Sequence, residues 1–227
     1  MSLSVALQAK LDNTVAILKT IASEYSPATF ANSFGAEDMV LTDLINQHDI
    51  DIEIFSLDTG RLPEETYQLM QEVRKRYSKP IVTYFPQTKS VEDYIQINGP
   101  NAFYQSVELR KSCCFIRKVE PLRRAIAGKK AWVTGLRREQ AVTRADLPVS
   151  EWDANNGLQK FSPLAEWNEA NVWEYLHEAK VPYNALHDKN YPSIGCAPCT
   201  RAISPGEDIR AGRWWWENPA SKECGLH

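Results

Sequence analysis

The sequence Ala-Thr-Phe-Ala-Asn-Ser-Phe-Gly-Ala-Glu-Asp occupies residues 28–38. Residues 28–33 favour a short strand, 34–36 a turn, and the acidic pair that follows opens a helix reaching about Gln47. Backbone N–H groups at such a strand-to-helix turn can hold a phosphate, although Ser33 and Gly35 could equally serve only as a helix cap. The loop contains no lysine, unlike a P-loop, so we expect a smaller phosphate ester than a triphosphate.

The same strand-then-helix rhythm continues along the chain. The predicted strands after the first are 51–57, 80–85 and 131–134, and the predicted helices include 4–24, one that begins near Pro63, and 169–180. This alternation predicts an α/β fold with a parallel sheet flanked by helices. Ligands bind such sheets beyond the carboxyl ends of the strands, where the turn Leu57-Asp58-Thr59-Gly60 also falls. Asp58 could instead cap the helix at Pro63.

Length and composition indicate a soluble globular protein. The chain has 227 residues, 43% of them hydrophobic, with a net charge of -3. We predict one nucleotide-binding domain over 1–204 and a mobile cysteine-bearing tail over 205–227. No signal peptide or membrane span is recognisable, so we expect a cytoplasmic location, reduced or metal-bound cysteines, and neither a membrane nor a nucleic acid as partner.

Four of the five cysteines form two pairs, the doublet Cys113-Cys114 and Cys196-x-x-Cys199. The second pair is typical of zinc sites, iron–sulfur sites and redox dithiols alike. The doublet favours a 4Fe-4S cluster, because neighbouring side chains diverge and each cysteine of a cluster binds its own iron. Zinc ligation, or buried cysteines without a ligand, remain alternatives.

The fifth cysteine, Cys224, lies three residues from the C-terminus. It is either incidental or a reactive thiol, and a basic environment would favour the reactive thiolate. Residues 110–144 hold eleven Lys or Arg against two Glu, a local charge of +9 in a chain of net charge -3. That run is either a solvated face or the site of an anionic ligand.

The motifs together resemble the sulfonucleotide reductases. They are the two cysteine pairs, residues 33–38, residues 57–60, and the terminal Lys222-Glu223-Cys224-Gly225-Leu226-His227. The tail is similar to that of the whole family, and the other four cysteines are similar to those of its cluster-bearing branch, the assimilatory adenylyl-sulfate reductases. The resemblance covers about residues 28–227 and implies an adenine nucleotide alpha-hydrolase-like fold.

The resemblance implies reduction of adenosine 5'-phosphosulfate to sulfite and AMP, in sulfate assimilation and cysteine biosynthesis. Cys224 would attack the sulfate sulfur and form an S-sulfocysteine, from which thioredoxin or glutaredoxin would release sulfite. One 4Fe-4S cluster per subunit is implied, and a homo-oligomer is expected. Lys118 would link cluster and substrate electrostatically. The residues implied to hold the nucleotide are Ser33, Gly35, Leu57, Asp58, Thr59, Gly60, Arg144, Arg210, Arg213 and Trp214.

Arg110 departs from the family pattern, which often has a histidine three residues before the doublet. The additional cation predicts tolerance of a more highly charged nucleotide. Reduction of 3'-phosphoadenosine 5'-phosphosulfate, or of both nucleotides, is therefore one alternative function. A cluster- or zinc-bearing nucleotide-binding redox sensor is a second, and an ATP-using thiolation enzyme of the same fold is a third.

Overall fold

A computed structural model of the protein describes residues 3–140 and 144–218. The chain divides into two compact units, each assembled from three segments. Unit 1 comprises residues 1–56, 65–82 and 128–184, and unit 2 comprises residues 57–64, 83–127 and 185–227. The boundary at residue 204 between a nucleotide-binding domain and a tail stays a prediction.

The described residues form six strands. They are Ala28–Ala31 (β1), Glu53–Leu57 (β2), Ile81–Tyr84 (β3), Ala131–Val133 (β4), Ser150–Asp153 (β5) and Leu158–Phe161 (β6). The sheet order is β3-β2-β1-β4-β6-β5, and β1 pairs in parallel with both β2 and β4. The chain thus builds the sheet outward from β1 on one side and returns to its other side at β4. Sheets of this kind bind ligands at that reversal.

The edge of the sheet beyond β4 was not predicted. β6 pairs in parallel with β4, whereas β5 pairs with β6 in the antiparallel sense. Both strands are only four residues long, with three polar residues in β5 and two in β6, and Gly157 lies between them with a φ of +71°. Such short strands give a weak periodic signal, so sequence analysis found no strand after Gly135. The predicted α/β sheet is confirmed as mostly parallel.

The described residues also form α-helices, which lie before, between and after these strands in the sequence. They are Val5–Glu24 (α1), Ala36–Gln47 (α2), Glu64–Arg76 (α3), Thr88–Asn98 (α4), Val107–Cys114 (α5), Glu120–Ile126 (α6) and Glu169–Glu178 (α7). The predicted bounds of the first two are confirmed to within one residue. Within the described residues, no helix is both long and apolar enough to cross a membrane.

The hydrophobic core of unit 1 includes the inner face of α1. Leu7, Leu11, Leu18 and Ile21 are buried there, at the spacing that places side chains on one helix face. The Ser4 side chain caps α1 by accepting a hydrogen bond from the Leu7 N–H. Core side chains of β1 and β4 belong to the same cluster, so both strands pack into one hydrophobic core with α1.

A continuous helical stretch in unit 2 carries the cysteine doublet. α5 begins at the Ser106 cap and ends with Cys113 and Cys114, and a π-helical segment, Phe115–Val119, joins it to α6. π-helical turns are rare and often occur at functional sites, because the wider turn changes which side chains share a face. The cysteine doublet therefore lies where the helix geometry changes.

Candidate functional site

The loop between β1 and α2 is held by its own polar side chains. The Asn32 side chain donates to Thr42 Oγ1 at 2.7 Å and accepts from the Phe34 N–H at 2.6 Å. Phe34 has a φ of +64°, and no side chain caps α2 at Gly35. Ser33 is exposed and Gly35 is half-buried. The N-terminal amides of α2 thus lack a side-chain cap, as a phosphate-binding turn requires.

Asp38 is buried behind this loop. Its Oδ2 accepts from the Ser33 N–H at 2.7 Å and from the Ser33 hydroxyl at 2.6 Å. Burial raises the pKa of Asp38 to about 7, despite these hydrogen bonds and one from the Gly135 N–H that favour its ionised form. A Cβ at Gly135 would lie 2.2 Å from Asp38 Oδ1, so only glycine fits there. The loops after β1 and β4 are therefore in contact.

We expect Asp38→Asn to flatten part of the pH dependence of stability. The folded carboxyl titrates near 7 and the unfolded one near 3.8, so the stabilisation from holding this proton is full below about pH 4 and is lost as the pH rises through about 7. Relative to Asp38→Asn, the wild type should lose about 1.4 kcal/mol per pH unit across that window. Urea unfolding of both proteins, with exposed Asp51→Asn as control, measures this, and a flat difference would contradict it.

Arg137 places a fixed cation at the same edge of the sheet. It is buried, and its Nε and Nη2 each donate to Glu37 Oε1 at 2.8 Å. Its Nη1 is buried without a hydrogen-bond partner and lies 3.7 Å from Glu139. Sequence analysis missed this residue, although its position just after β4 could have indicated it. Arg137 offsets the acidic first turn of α2, where an anion would otherwise be repelled.

The predicted ligand Arg144 belongs to the same loop. Its guanidinium donates to Gln140 Oε1 at 2.7 Å, and the same oxygen accepts from the Arg137 N–H at 3.1 Å. Unit 1 thus brings together the loop carrying Ser33 and Gly35 and the loop carrying Arg137. The predicted contact of Ser33, Gly35 and Arg144 with a nucleotide stays a prediction.

The turn Leu57-Asp58-Thr59-Gly60 belongs to unit 2. Asp58 Oδ1 accepts from the Gly60 N–H at 2.7 Å, so this carboxylate closes its own turn four residues before α3 begins. Thr59 Oγ1 lies 3.3 Å from Cys196 Sγ. The turn predicted to hold the nucleotide thus also contacts one of the four predicted cluster ligands.

Cys113, Cys114, Cys196 and Cys199 are free thiols, and their charges influence one another's pKa. Burial raises the pKa of Cys199 to about 12, and the neighbouring Cys196, Cys114 and Cys113 raise it further. Burial also raises the pKa of Cys113, with Cys196 contributing in the same direction. Two segments more than eighty residues apart in sequence thus bring Cys113, Cys114, Cys196 and Cys199 close enough for their charges to interact, and we refer to these four cysteines as the thiol group. That they share one metal centre stays a prediction.

Three cations act on this thiol group. Lys118 lowers the pKa of Cys199, while Arg117 and Arg61 lower that of Cys113. Arg117 is buried and donates from Nη1 to the Thr59 carbonyl at 2.5 Å. Only Lys118 was predicted. Arg117 stands four residues after Cys113 on the helical stretch, a spacing that could have indicated it.

A single metal ion and an iron–sulfur cluster require different arrangements of cysteine ligands. In residues 3–140 and 144–218, no three His, Cys, Asp or Glu side chains are grouped so as to hold one metal ion. A 4Fe-4S cluster has different needs, because its four cysteine sulfurs each bind a separate iron around a cube. Cys196, Cys114 and Cys113 all act electrostatically on Cys199, and Lys118, Arg117 and Arg61 supply nearby positive charge. Four cysteines with these cations fit the donor set and the negative charge of such a cluster.

Arg110 is fully buried beside the doublet. Its guanidinium donates to both carboxylate oxygens of Glu217, at 2.8 and 2.7 Å, and lies 4.7 Å from the centre of the Trp214 ring. The positive charge that sequence analysis assigned to a more highly charged nucleotide is thus balanced inside unit 2 by a carboxylate.

Arg213 and Trp214 lie in a segment that pairs with the Cys196–Cys199 loop. The Trp214 N–H donates to the Cys199 carbonyl at 3.1 Å, and Thr200 forms an isolated bridge with Arg213. Arg213 is buried and donates to Ser193 Oγ at 3.2 Å, while Trp214 is 2% exposed and lies against both Arg110 and Arg213. Their predicted contact with the phosphosulfate, and that of the half-buried Arg210, stay predictions.

Cys224, the predicted nucleophile, lies outside the described residues. Seven residues separate it in sequence from Glu217, so their Cα atoms are at most about 25 Å apart.

Sequence similarity to known proteins extends over nearly the whole chain. Adenosine 5'-phosphosulfate reductase from Allochromatium vinosum is 56% identical over 213 residues, covering 94% of this chain and 83% of the relative. The protein of the same name from Burkholderia cepacia is 55% identical over 226 residues, covering 100% of this chain and 90% of the relative. The one from Neisseria meningitidis serogroup A is 50% identical, with 98% and 91% coverage.

Solved structures agree with the fold. Phosphoadenylyl-sulfate reductase from Candida auris, in a phosphate complex, superposes with a TM-score of 0.72 at 28% identity, covering 89% of this chain and 99% of that one. FMN adenylyltransferase from Candida glabrata, at 17% identity and a TM-score of 0.58, shares the fold alone. The family model for the phosphoadenosine phosphosulfate reductase domain matches residues 27–202. The resemblance seen in the motifs is therefore confirmed, and the chain belongs to the phosphoadenosine phosphosulfate reductase domain family.

Proposed function

We propose that this oxidoreductase converts adenosine 5'-phosphosulfate to sulfite and AMP in sulfate assimilation. One observation carries the proposal: relatives at 50–56% identity that share this chain over 83–91% of their own length are named adenosine 5'-phosphosulfate reductase. The match to the Burkholderia cepacia protein spans 100% of this chain, so it includes the terminal segment with Cys224.

The chemistry requires a strong nucleophile and a good leaving group. The Cys224 thiolate attacks the sulfate sulfur, the bond from that sulfur to the phosphate oxygen breaks, and AMP leaves with the electron pair. The product is an S-sulfocysteine. One thiol of thioredoxin or glutaredoxin then attacks the Cys224 sulfur and releases sulfite. The second thiol of that dithiol closes its disulfide and frees Cys224, so two electrons pass from the dithiol to the sulfate sulfur.

Unit 1 would bind the nucleotide phosphate. The uncapped amides of α2 at Gly35 provide hydrogen-bond donors beside the exposed Ser33, and Arg137 and Arg144 provide positive charge at the same edge of the sheet. Asp38 holds Ser33 in place through two hydrogen bonds. The absence of a loop lysine supports a phosphosulfate rather than a triphosphate that the protein would cleave.

Unit 2 would hold one 4Fe-4S cluster through Cys113, Cys114, Cys196 and Cys199. When bound, the cluster would supply negative charge and a structural anchor, and the dithiol rather than the cluster would donate the electrons. Lys118, Arg117 and Arg61 would balance that charge. Thr59 and Arg117 would connect the thiol group with the 57–60 turn, which is the second predicted nucleotide-holding segment.

Arg110 bears on the choice between the two nucleotides. Because Glu217 balances its charge with two short hydrogen bonds, Arg110 offers no spare positive charge to a 3'-phosphate. We propose that the 5'-phosphosulfate is preferred. Comparing kcat/KM for both nucleotides on one anaerobic preparation tests this, and a ratio favouring the 3'-phosphorylated form would overturn it.

We also propose a cytoplasmic location and a homo-oligomer.

The function itself is tested without reductant. Anaerobic protein is incubated with 35S-labelled adenosine 5'-phosphosulfate, with AMP plus labelled sulfate as control. We expect one equivalent of AMP and a labelled adduct on the peptide that contains Cys224, and catalytic sulfite formation once thioredoxin and its reducing system are added. AMP release without an adduct would overturn the mechanism, and binding without turnover would instead indicate a nucleotide-binding sensor.

A further inference from the structure

A buried ion pair ties the helix of the cysteine doublet to the last described residues of the chain. Arg110 and Glu217 have side chains 1% and 3% exposed, and two hydrogen bonds of 2.8 and 2.7 Å join them. The Trp214 ring lies 4.7 Å from the guanidinium carbon of Arg110. We refer to Arg110, Trp214 and Glu217 together as the Arg110 latch.

The latch also reaches the thiol group. Arg110 stands one helical turn before Cys114, and its guanidinium forms a hydrogen bond with the Cys114 side chain. Cys114 directly precedes the π-helical segment that carries Arg117 and Lys118. The Arg110 guanidinium therefore contacts both Glu217 near the C-terminus and Cys114 of the doublet.

The geometry of the latch is specific to arginine and a carboxylate. A guanidinium offers a planar fork that matches both carboxylate oxygens, whereas a lysine ammonium offers a single point charge. Removing one partner leaves a buried charge without compensation, which is strongly unfavourable, but replacing both partners with apolar side chains can preserve stability. The orienting and the stabilising effects of this pair can therefore be separated by mutation.

We propose that Arg110 is a positioning residue: through Glu217 and Trp214 it fixes where the C-terminal segment leaves the cysteine-bearing helix, and so sets how productively Cys224 meets the substrate. This inference rests on the proposed function, because it assigns Cys224 the role of nucleophile. Arg110 would act through Glu217 and Trp214 rather than on the reacting sulfur. Glu217 is seven positions before Cys224, so the latch fixes the chain at a point within about 25 Å of the nucleophile.

The test uses four variants of the full-length anaerobic protein. Glu217→Gln removes the carboxylate, Arg110→Lys keeps the charge but removes the fork, and Arg110→Met with Glu217→Met removes both charges. Glu207→Gln is the matched control, because it breaks a half-exposed ion pair with Arg201 in the same C-terminal region. The measurements are AMP release in a single turnover without reductant, AMP affinity, thermal stability, and the lifetime of the brown chromophore in air.

We expect Glu217→Gln and Arg110→Lys to slow AMP release by between about tenfold and a hundredfold, while AMP affinity changes by less than about twofold. The chromophore of Glu217→Gln should also bleach sooner in air, and the control should match the wild type. The double variant should recover thermal stability but not the rate of AMP release.

Two results would overturn the proposal. If stability and the rate of AMP release recover together in the double variant, the pair is merely structural. If AMP release in Glu217→Gln equals that of the control, the latch does not position Cys224. Failure of the proposed function gives a different result, because the wild type itself would release no AMP. In that case, equal chromophore lifetimes in the wild type and all variants would count against the latch independently.

Discussion

Cys224→Ser should abolish sulfite formation while leaving the protein folded and brown. A hydroxyl is a far weaker nucleophile than a thiolate, and no side chain described by the structure is assigned to replace it. The rate should fall by a factor on the order of 10³ or more, because loss of a covalent nucleophile removes the reaction path itself. Sulfite release with thioredoxin and AMP release without it are the two measurements.

Two comparisons make the Cys224→Ser result specific. AMP affinity should match that of the wild type, because the binding loops of unit 1 are untouched, and the iron content should also be unchanged. Ser221→Ala, directly before the terminal motif, is the matched control and should keep most of the activity. Sulfite formation by Cys224→Ser at the wild-type rate would exclude the covalent mechanism.

Cys113→Ser should remove both the brown colour and the activity. A 4Fe-4S cluster needs a thiolate on every iron, and serine does not replace a thiolate at neutral pH. Iron and acid-labile sulfide should fall from about four per chain to below about one. The variant should also lose sulfite formation, since the remaining thiols, Lys118 and Arg117 would no longer surround a common charge.

Ser112→Ala is the matched control for this variant, because Ser112 is exposed and precedes Cys113 in the same helix. It should keep its iron, its colour and its activity. Stoichiometric zinc in the anaerobic wild type, in place of iron and sulfide, would contradict the cluster. So would a Cys113→Ser protein that retains the complete chromophore.

Local patterns predicted the part of the fold that positions the nucleotide loop. The strand-to-helix turn at residues 28–38 is confirmed as β1 and the start of α2. It was predictable because the strand is apolar and the turn and helix start follow directly. β5 and β6 were missed, since four-residue strands with polar side chains acquire their structure from the neighbouring β4 rather than from their own sequence.

The sequence indicated the cysteines of the candidate site, but it indicated few of the arginines that lie near them. Cysteine spacing indicated the thiol group, but the partners of arginines depend on tertiary contacts that sequence does not show. Arg137 forms an ion pair with Glu37, which lies one hundred residues earlier, and Arg110 forms one with Glu217. Spacing along one helix could have indicated Arg117, yet nothing local shows that it also contacts the Thr59 carbonyl.

The alternation of the two units has a consequence for synthesis of the protein. Six successive segments belong in turn to unit 1 and unit 2, so the chain passes between them five times. On a ribosome, unit 1 is incomplete until residue 184 has emerged, and the fourth paired cysteine follows only at residue 199. At about 5–20 residues per second, the nascent chain must wait many seconds with its sheet and its thiols unfinished. Under the proposed function, all four cluster ligands are available only after residue 199 has emerged, and a contiguous gene fragment that encodes them also encodes three of the six described strands, β4, β5 and β6.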